Sequence, residues 1–148
     1  MEKPFCCTIG FTQTRAQEFF ENLKINEVKK LIDVRINPTS QLSGFAKAKD
    51  LKFFLNEICD ISYQHEPLLC PEKELLKEYR SDMLSWNQYE IRFLDLMSKR
   101  KIEEELSLDY FDSSCLLCSE KKPHNCHRRL VVEYLNSYWN NRLVVKHI

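Results

Sequence analysis

The chain has 148 residues, 43% hydrophobic, 11% aromatic and 30% charged, so it is long enough for one cored domain and too apolar to be disordered. Its 22 basic and 22 acidic residues cancel, which excludes a whole-molecule electrostatic grip on nucleic acid or an anionic membrane but not a local basic pocket. No apolar run approaches the length of a membrane span, and residues 6–11 are too short for the apolar part of a signal peptide. The seven cysteines are therefore expected to be reduced thiols of a cytoplasmic protein. Residues 1–148 read as a single domain without repeat, linker or low-complexity tract.

Residues 6–11 are a short apolar run holding Gly10, which suits a buried strand followed by a turn. Thr12 or Thr14 is placed to cap a helix over 15–25, where Ala16, Phe19, Phe20 and Leu23 fall at helical spacing. A second buried strand is predicted over 30–36. The segment from Asn37 to Ser40 stops it, because Pro38 has no N–H for a ladder. A helix over 49–59 puts Leu51, Phe54, Leu55 and Ile58 on one face, and 61–66 reads as a third strand. Residues 71–106 keep helical spacing through Leu75, Leu76, Tyr79, Met83 and Trp86, then through Tyr89, Phe93, Leu94 and Met97, with a break near 85–87. A fourth strand is predicted over 114–118, a helix over 126–140 and a last strand over 143–148.

Strand and helix alternate, which predicts an α/β fold: a three-layer sandwich with a largely parallel sheet of about five strands and helices on both faces. In such sheets ligands bind at the carboxyl ends of the strands. Those ends carry Gly10, Phe11 and Thr12; residues 35–40; His65 and Glu66; and Cys118, Ser119 and Glu120. With only two glycines in the chain, Gly10 and Gly44 are each expected where the backbone needs one.

Residues 115–129 concentrate the reactive side chains: three cysteines and two histidines on a strand, a polar loop and the start of a helix. Asn125 is a good N-cap, which puts Cys126, His127 and Arg128 in the first helical turn. His127 and Arg128 stand four and three residues before Val131, on the core-facing side with Tyr134, Leu135, Tyr138 and Trp139; Arg129 points away. A helix N-terminus attracts anions, Arg128 would strengthen that pull, and the same field favours a Cys126 thiolate. Cys118 is a second thiol within reach of Cys126. A zinc site also has to be weighed. Cys115 and Cys118 are three apart on a strand, so they face opposite layers and cannot share an ion. Cys118, His124, Cys126 and His127 form the remaining possible set, but no metal and no cofactor is assigned. Asp33 and Arg35 lie two apart on one face of the second strand, and charges in an apolar run must be paired or functional.

These motifs carry a resemblance. Thr8-Ile9-Gly10, Asp33-Val34-Arg35 with Pro38 and Ser40, Gly44-Phe45, Leu116-Leu117-Cys118-Ser119-Glu120 with Pro123 and Cys126-His127-Arg128, and the closing Lys146-His147-Ile148 resemble the domain of unknown function 488 family of small prokaryotic proteins. The family usually has a histidine after the first glycine, where this chain has Phe11. It tends to Leu-Gly after the third strand, where this chain has Leu68-Leu69-Cys70. The resemblance implies a site along these motifs rather than a named reaction.

The reading that follows is an enzyme-like domain whose pocket binds an anionic ligand, a nucleotide or nucleic-acid phosphate. Arg35 and Arg128 clamp the anion, with Gly10, Thr12, Ser40 and Glu120 lining the pocket. Asp33 orients or acts as base, and Cys118, Cys126 and His127 provide nucleophile and proton transfer, as in a cysteine- or histidine-dependent hydrolase or transferase. The rival reading is a non-catalytic, zinc-stapled module for a protein or nucleic-acid partner. Neither involves a membrane. Gly10, Arg35, Cys118 and Arg128 are expected on one rim of the sheet.

Overall fold

A computed structural model describes residues 3–38, 44–120 and 125–148. Five strands, β1 Phe5–Gly10, β2 Lys30–Asp33, β3 Ser62–His65, β4 Ser114–Cys118 and β5 Val144–His147, form one all-parallel sheet in the order β3-β2-β4-β1-β5. Helices α1 (Ala16–Ile25), α2 (Ala48–Phe54), α3 (Lys73–Arg80), α4 (Trp86–Arg100), α5 (Ile102–Glu105), α6 (Leu108–Phe111) and α7 (His127–Tyr138) connect them.

Alternation along the strands divides the core in two. Cys7, Ile9, Leu31, Cys115 and Leu117 pack on Phe19, Phe20 and Leu23 of α1 and on Leu51 of α2. Cys6, Ile32, Leu116 and Cys118 pack on the other face, against Leu75, Tyr89, Phe93, Met97, Leu130, Val131 and Leu135 of α3, α4 and α7. Helices thus cover both faces, as the α/β sandwich requires. Cys115 and Cys118 lie in different layers, as their spacing demands.

The second strand is shorter than its apolar run. Val34 N–H still donates to Leu117 O of β4 at 3.1 Å, but the Arg35 N–H leaves the ladder and turns back to Asp33 Oδ1 at 3.1 Å. Neither Thr12 nor Thr14 caps α1. Arg15 holds the N-cap position without a side-chain bond, and Thr12 Oγ1 instead donates to Ser119 O at 2.5 Å. The helix predicted over 49–59 changes to a π-turn at Leu55–Cys59, whose wider winding carries Ile58 off the buried face and leaves it 53% exposed. Met83 and Tyr138 are exposed too. Met83 has passed the end of α3, and Tyr138 belongs to the last turn of α7. The break near 85–87 is the start of α4, where Ser85 and Gln88 cap each other's backbone. A further break follows at Lys101, in left-handed conformation between α4 and α5.

Neither glycine has a positive φ; Asp60, Asp82, Asn140 and Asn141 are among the residues that make the left-handed turns. Gly10 is required for another reason, given below. Gly44 has open space where a Cβ would be, so the expectation of a backbone need fails there.

Candidate functional site

The carboxyl edge gathers the expected groups. Asp33 stands level with Leu117 in the β2–β4 register, and Gly10 level with Cys118 in β1–β4. The chain leaving β4 crosses the end of β1: Phe11 and Thr12 donate their N–H groups to Ser119 O at 3.3 and 3.0 Å. A Cβ on Gly10 would lie 1.6 Å from Glu120 O and 2.9 Å from Arg128 Nη1. Glycine stands there because another backbone passes through the space of a side chain.

Asp33 and Arg35 form a buried ion pair. Arg35 Nε donates to Asp33 Oδ1 at 2.9 Å and Nη2 to Oδ2 at 2.7 Å, while Tyr63 O–H donates to Oδ2 at 2.6 Å. Burial first, and then the aspartate, push the Tyr63 hydroxyl pKa up, so it stays a donor. Burial opposes the Arg35 charge, but the Asp33 bonds and charge outweigh it and hold the guanidinium above its ordinary value. Arg35 lies 5.1 Å from the centre of the Phe11 ring, so Phe11 backs this cation. Arg35 is 5% exposed, and its Nη1 has no hydrogen-bond partner among the described residues.

Cys118, at the end of β4, meets the start of α7. Cys126 rather than Asn125 is the N-cap, and no side chain caps the helix. The two sulfurs and a nitrogen of His127 lie within 4.8 Å of one another. The neighbouring Cys126 thiol lowers the Cys118 pKa, against burial, with help from the Ser119 N–H and the Arg128 charge. Cys126 is pushed well above its ordinary value by Cys118 and by burial. Of the two sulfurs, Cys118 is therefore the one on which negative charge is favoured, and Cys126 the one that keeps its proton. His127 donates from Nε2 to Val34 O at 2.8 Å, and its Nδ1 lies 3.6 Å from Cys118 Sγ.

Arg128, 1% exposed, donates from Nε to Thr8 Oγ1 at 3.3 Å and from Nη1 to Glu120 O and, at 3.8 Å, to Cys126 Sγ. It braces the loop after β4 against β1. Arg128→Lys keeps the charge but loses the planar fork, so melting is expected to fall by several degrees, on the order of 1–2 kcal/mol, in thermal unfolding.

The structure thus brings Gly10, Asp33, Arg35, Cys118, Cys126, His127 and Arg128 to one rim. Thr12 is used in tying β1 to Ser119, and Glu120 contributes its carbonyl while its side chain is exposed. Ser40, Pro123 and His124 lie outside the described residues. Sequence reasoning passed over Thr8 and Tyr63. Their partners are on neighbouring strands, and only strand order reveals them; the burial of Thr8 in an apolar strand was the available signal.

The sulfurs of Cys118 and Cys126 and a nitrogen of His127 lie within 4.8 Å of one another, close enough to suggest a metal. The orientation argues otherwise. Cys118 Sγ is 3.6 Å from Nδ1 and 3.8 Å from Nε2, nearly the same, so it faces the flank of the ring rather than the lone pair of either nitrogen. An ion shared by that sulfur and Nδ1 would need the ring to turn and give up Val34.

Fold and site together define an α/β domain with a buried Cys–Cys–His centre flanked by arginines at the carboxyl edge of a parallel sheet. The chain belongs to the family described as domain of unknown function DUF488, whose model matches residues 15–135. No curated protein and no solved structure gives a significant match. No helix among the described residues is long and apolar enough to cross a membrane.

Proposed function

We propose that this is a cytoplasmic enzyme-like domain that holds an anionic ligand, a nucleotide or nucleic-acid phosphate, at the carboxyl edge of its sheet and acts on it with Cys118, Cys126 and His127. The observation that carries the reading is Arg35 Nη1, a buried cationic donor with no partner among the described residues, on a guanidinium fixed by Asp33. Leaving such a donor unmatched costs about 1–3 kcal/mol, which a ligand oxygen recovers. Arg128 adds a second positive charge, its Nη1 3.8 Å from Cys126 Sγ. Cys118 is the nucleophile, Cys126 and His127 serve proton transfer, and Asp33 orients Arg35, the division of roles expected in a cysteine-dependent hydrolase or transferase. The seven free thiols suit a reducing compartment.

Thermal unfolding of the reduced protein with inorganic phosphate, a mononucleotide or a short oligonucleotide tests this. A ligand at a hundred times its Kd stabilises by about 2.7 kcal/mol. The parent is expected to gain stability with at least one of these anions, and Arg35→Lys, which has no planar fork, to lose the gain. A parent whose melting none of the three anions raises would end this reading.

A further inference from the structure

The Cys118–Cys126 contact has a use beyond proton transfer. Both thiols are buried, at 6% and 3% exposure, where a strand end meets a helix start, with seven residues between them in sequence. Their sulfurs and the imidazole of His127 form one cluster within 4.8 Å, with Arg128 Nη1 3.8 Å from Cys126 Sγ. The remaining cysteines lack this combination. Cys7 and Cys115 stand opposite each other within the sheet, and burial raises both of their pKa values, keeping them as thiols. Cys70 touches His65 at 3.6 Å, but through the same Nε2 that bonds Arg35 O, and it has no second thiol there among the described residues.

We infer that Cys118 and Cys126 are an oxidisable pair that closes to a disulfide when the protein meets a hydroperoxide, switching off the nucleophile. As regulation of the site, this rests on the function proposed above; as chemistry of two thiols, it stands alone. The Cys118 thiolate attacks the O–O bond of hydrogen peroxide. A Cys118 sulfenic acid forms and hydroxide leaves, taking up from solvent the proton that Cys118 released on ionising and becoming water. His127 takes the Cys126 proton, the Cys126 sulfur attacks Cys118 Sγ, the S–O bond breaks, and the departing hydroxide recovers that proton as a second water. Two thiols lose two electrons and the peroxide gains them. Cys126 is the resolving residue, and a thiol reductant returns the pair to its starting state.

The test uses the full-length reduced protein and hydrogen peroxide. After oxidation the free thiols are alkylated in denaturant, and intact mass and non-reducing peptide maps are taken. The expected result is loss of two hydrogens, one crosslink joining the peptides of Cys118 and Cys126, and recovery with dithiothreitol. Cys126→Ser should accumulate a sulfenic acid at Cys118 that dimedone traps, while Cys118→Ser should not trap at position 126. If either variant fails to fold, the wild-type map alone decides. Oxidation that leaves these two thiols free overturns the inference, as does a crosslink between other cysteines. So does one tightly held zinc per chain shielding the pair. Failure of the anion test with formation of this crosslink removes the proposed function and leaves the pair; the reverse outcome leaves the binding site and removes the switch.

Discussion

Asp33→Ala is expected to cost about 3–5 kcal/mol of folding stability, the cost of stranding a buried charge. The substitution takes the acceptor from Arg35 Nε and Nη2, from the Arg35 backbone N–H and from the Tyr63 hydroxyl. The guanidinium, 5% exposed and already carrying one unmatched nitrogen, is left without its counter-ion. For a chain of this length the melting temperature should fall by roughly 10 °C. A double variant, Asp33→Leu with Arg35→Met, removes both charges and should recover much of the loss. Urea unfolding of the three proteins measures it. A single variant within 1 kcal/mol of the parent, on the order of an ordinary exposed ion pair, would show that Asp33 does not hold the site together.

Gly10→Ala is expected to be nearly as damaging. The added methyl would sit 1.6 Å from the carbonyl oxygen of Glu120, which is the acceptor for Arg128. No flexible side-chain tip can yield there, so β1 and the loop after β4 must separate. The cost should reach about 3 kcal/mol, at the upper end for overpacking. Gly44→Ala is the control. Its site is open and its φ is not positive, so it should change stability by less than about 1 kcal/mol in either direction. Equal melting temperatures for the two alanine variants would mean that the crossing of β4 over β1 is not a tight constraint.

What could be read beforehand followed from short-range periodicity. β4 matches its predicted span of 114–118, and His127 and Arg128 face the core because their spacing to Val131 required it. Asp33 and Arg35 lie on one side of the chain for the same reason. Helix ends were less legible. Thr12 and Asn125 are good caps in isolation, but tertiary bonds decide: Thr12 is taken by Ser119, and the start of α7 is set at Cys126 by its contacts with Cys118 and Arg128. The acceptor for His127, Val34 O, was not foreseeable, nor was the Tyr63 bond to Asp33. Both depend on β2 lying between β3 and β4, and long-range order leaves no periodic trace in sequence.

The division of the cysteines between the two layers has a consequence for assembly. β4 is central, paired on both sides, and side chains alternate along it. Sliding it by a single residue would place Leu117 where Cys118 stands, and would turn Cys115 toward α4 and α7. A chain folded in that shifted register could bury comparable apolar surface, because its residues are almost all small or aliphatic. It would nonetheless present a hydrocarbon to Cys126, His127 and the charge of Arg128. The polar groups at the head of α7 therefore act as a gauge of alignment, rewarding the one threading of β4 in which a sulfur arrives to meet them.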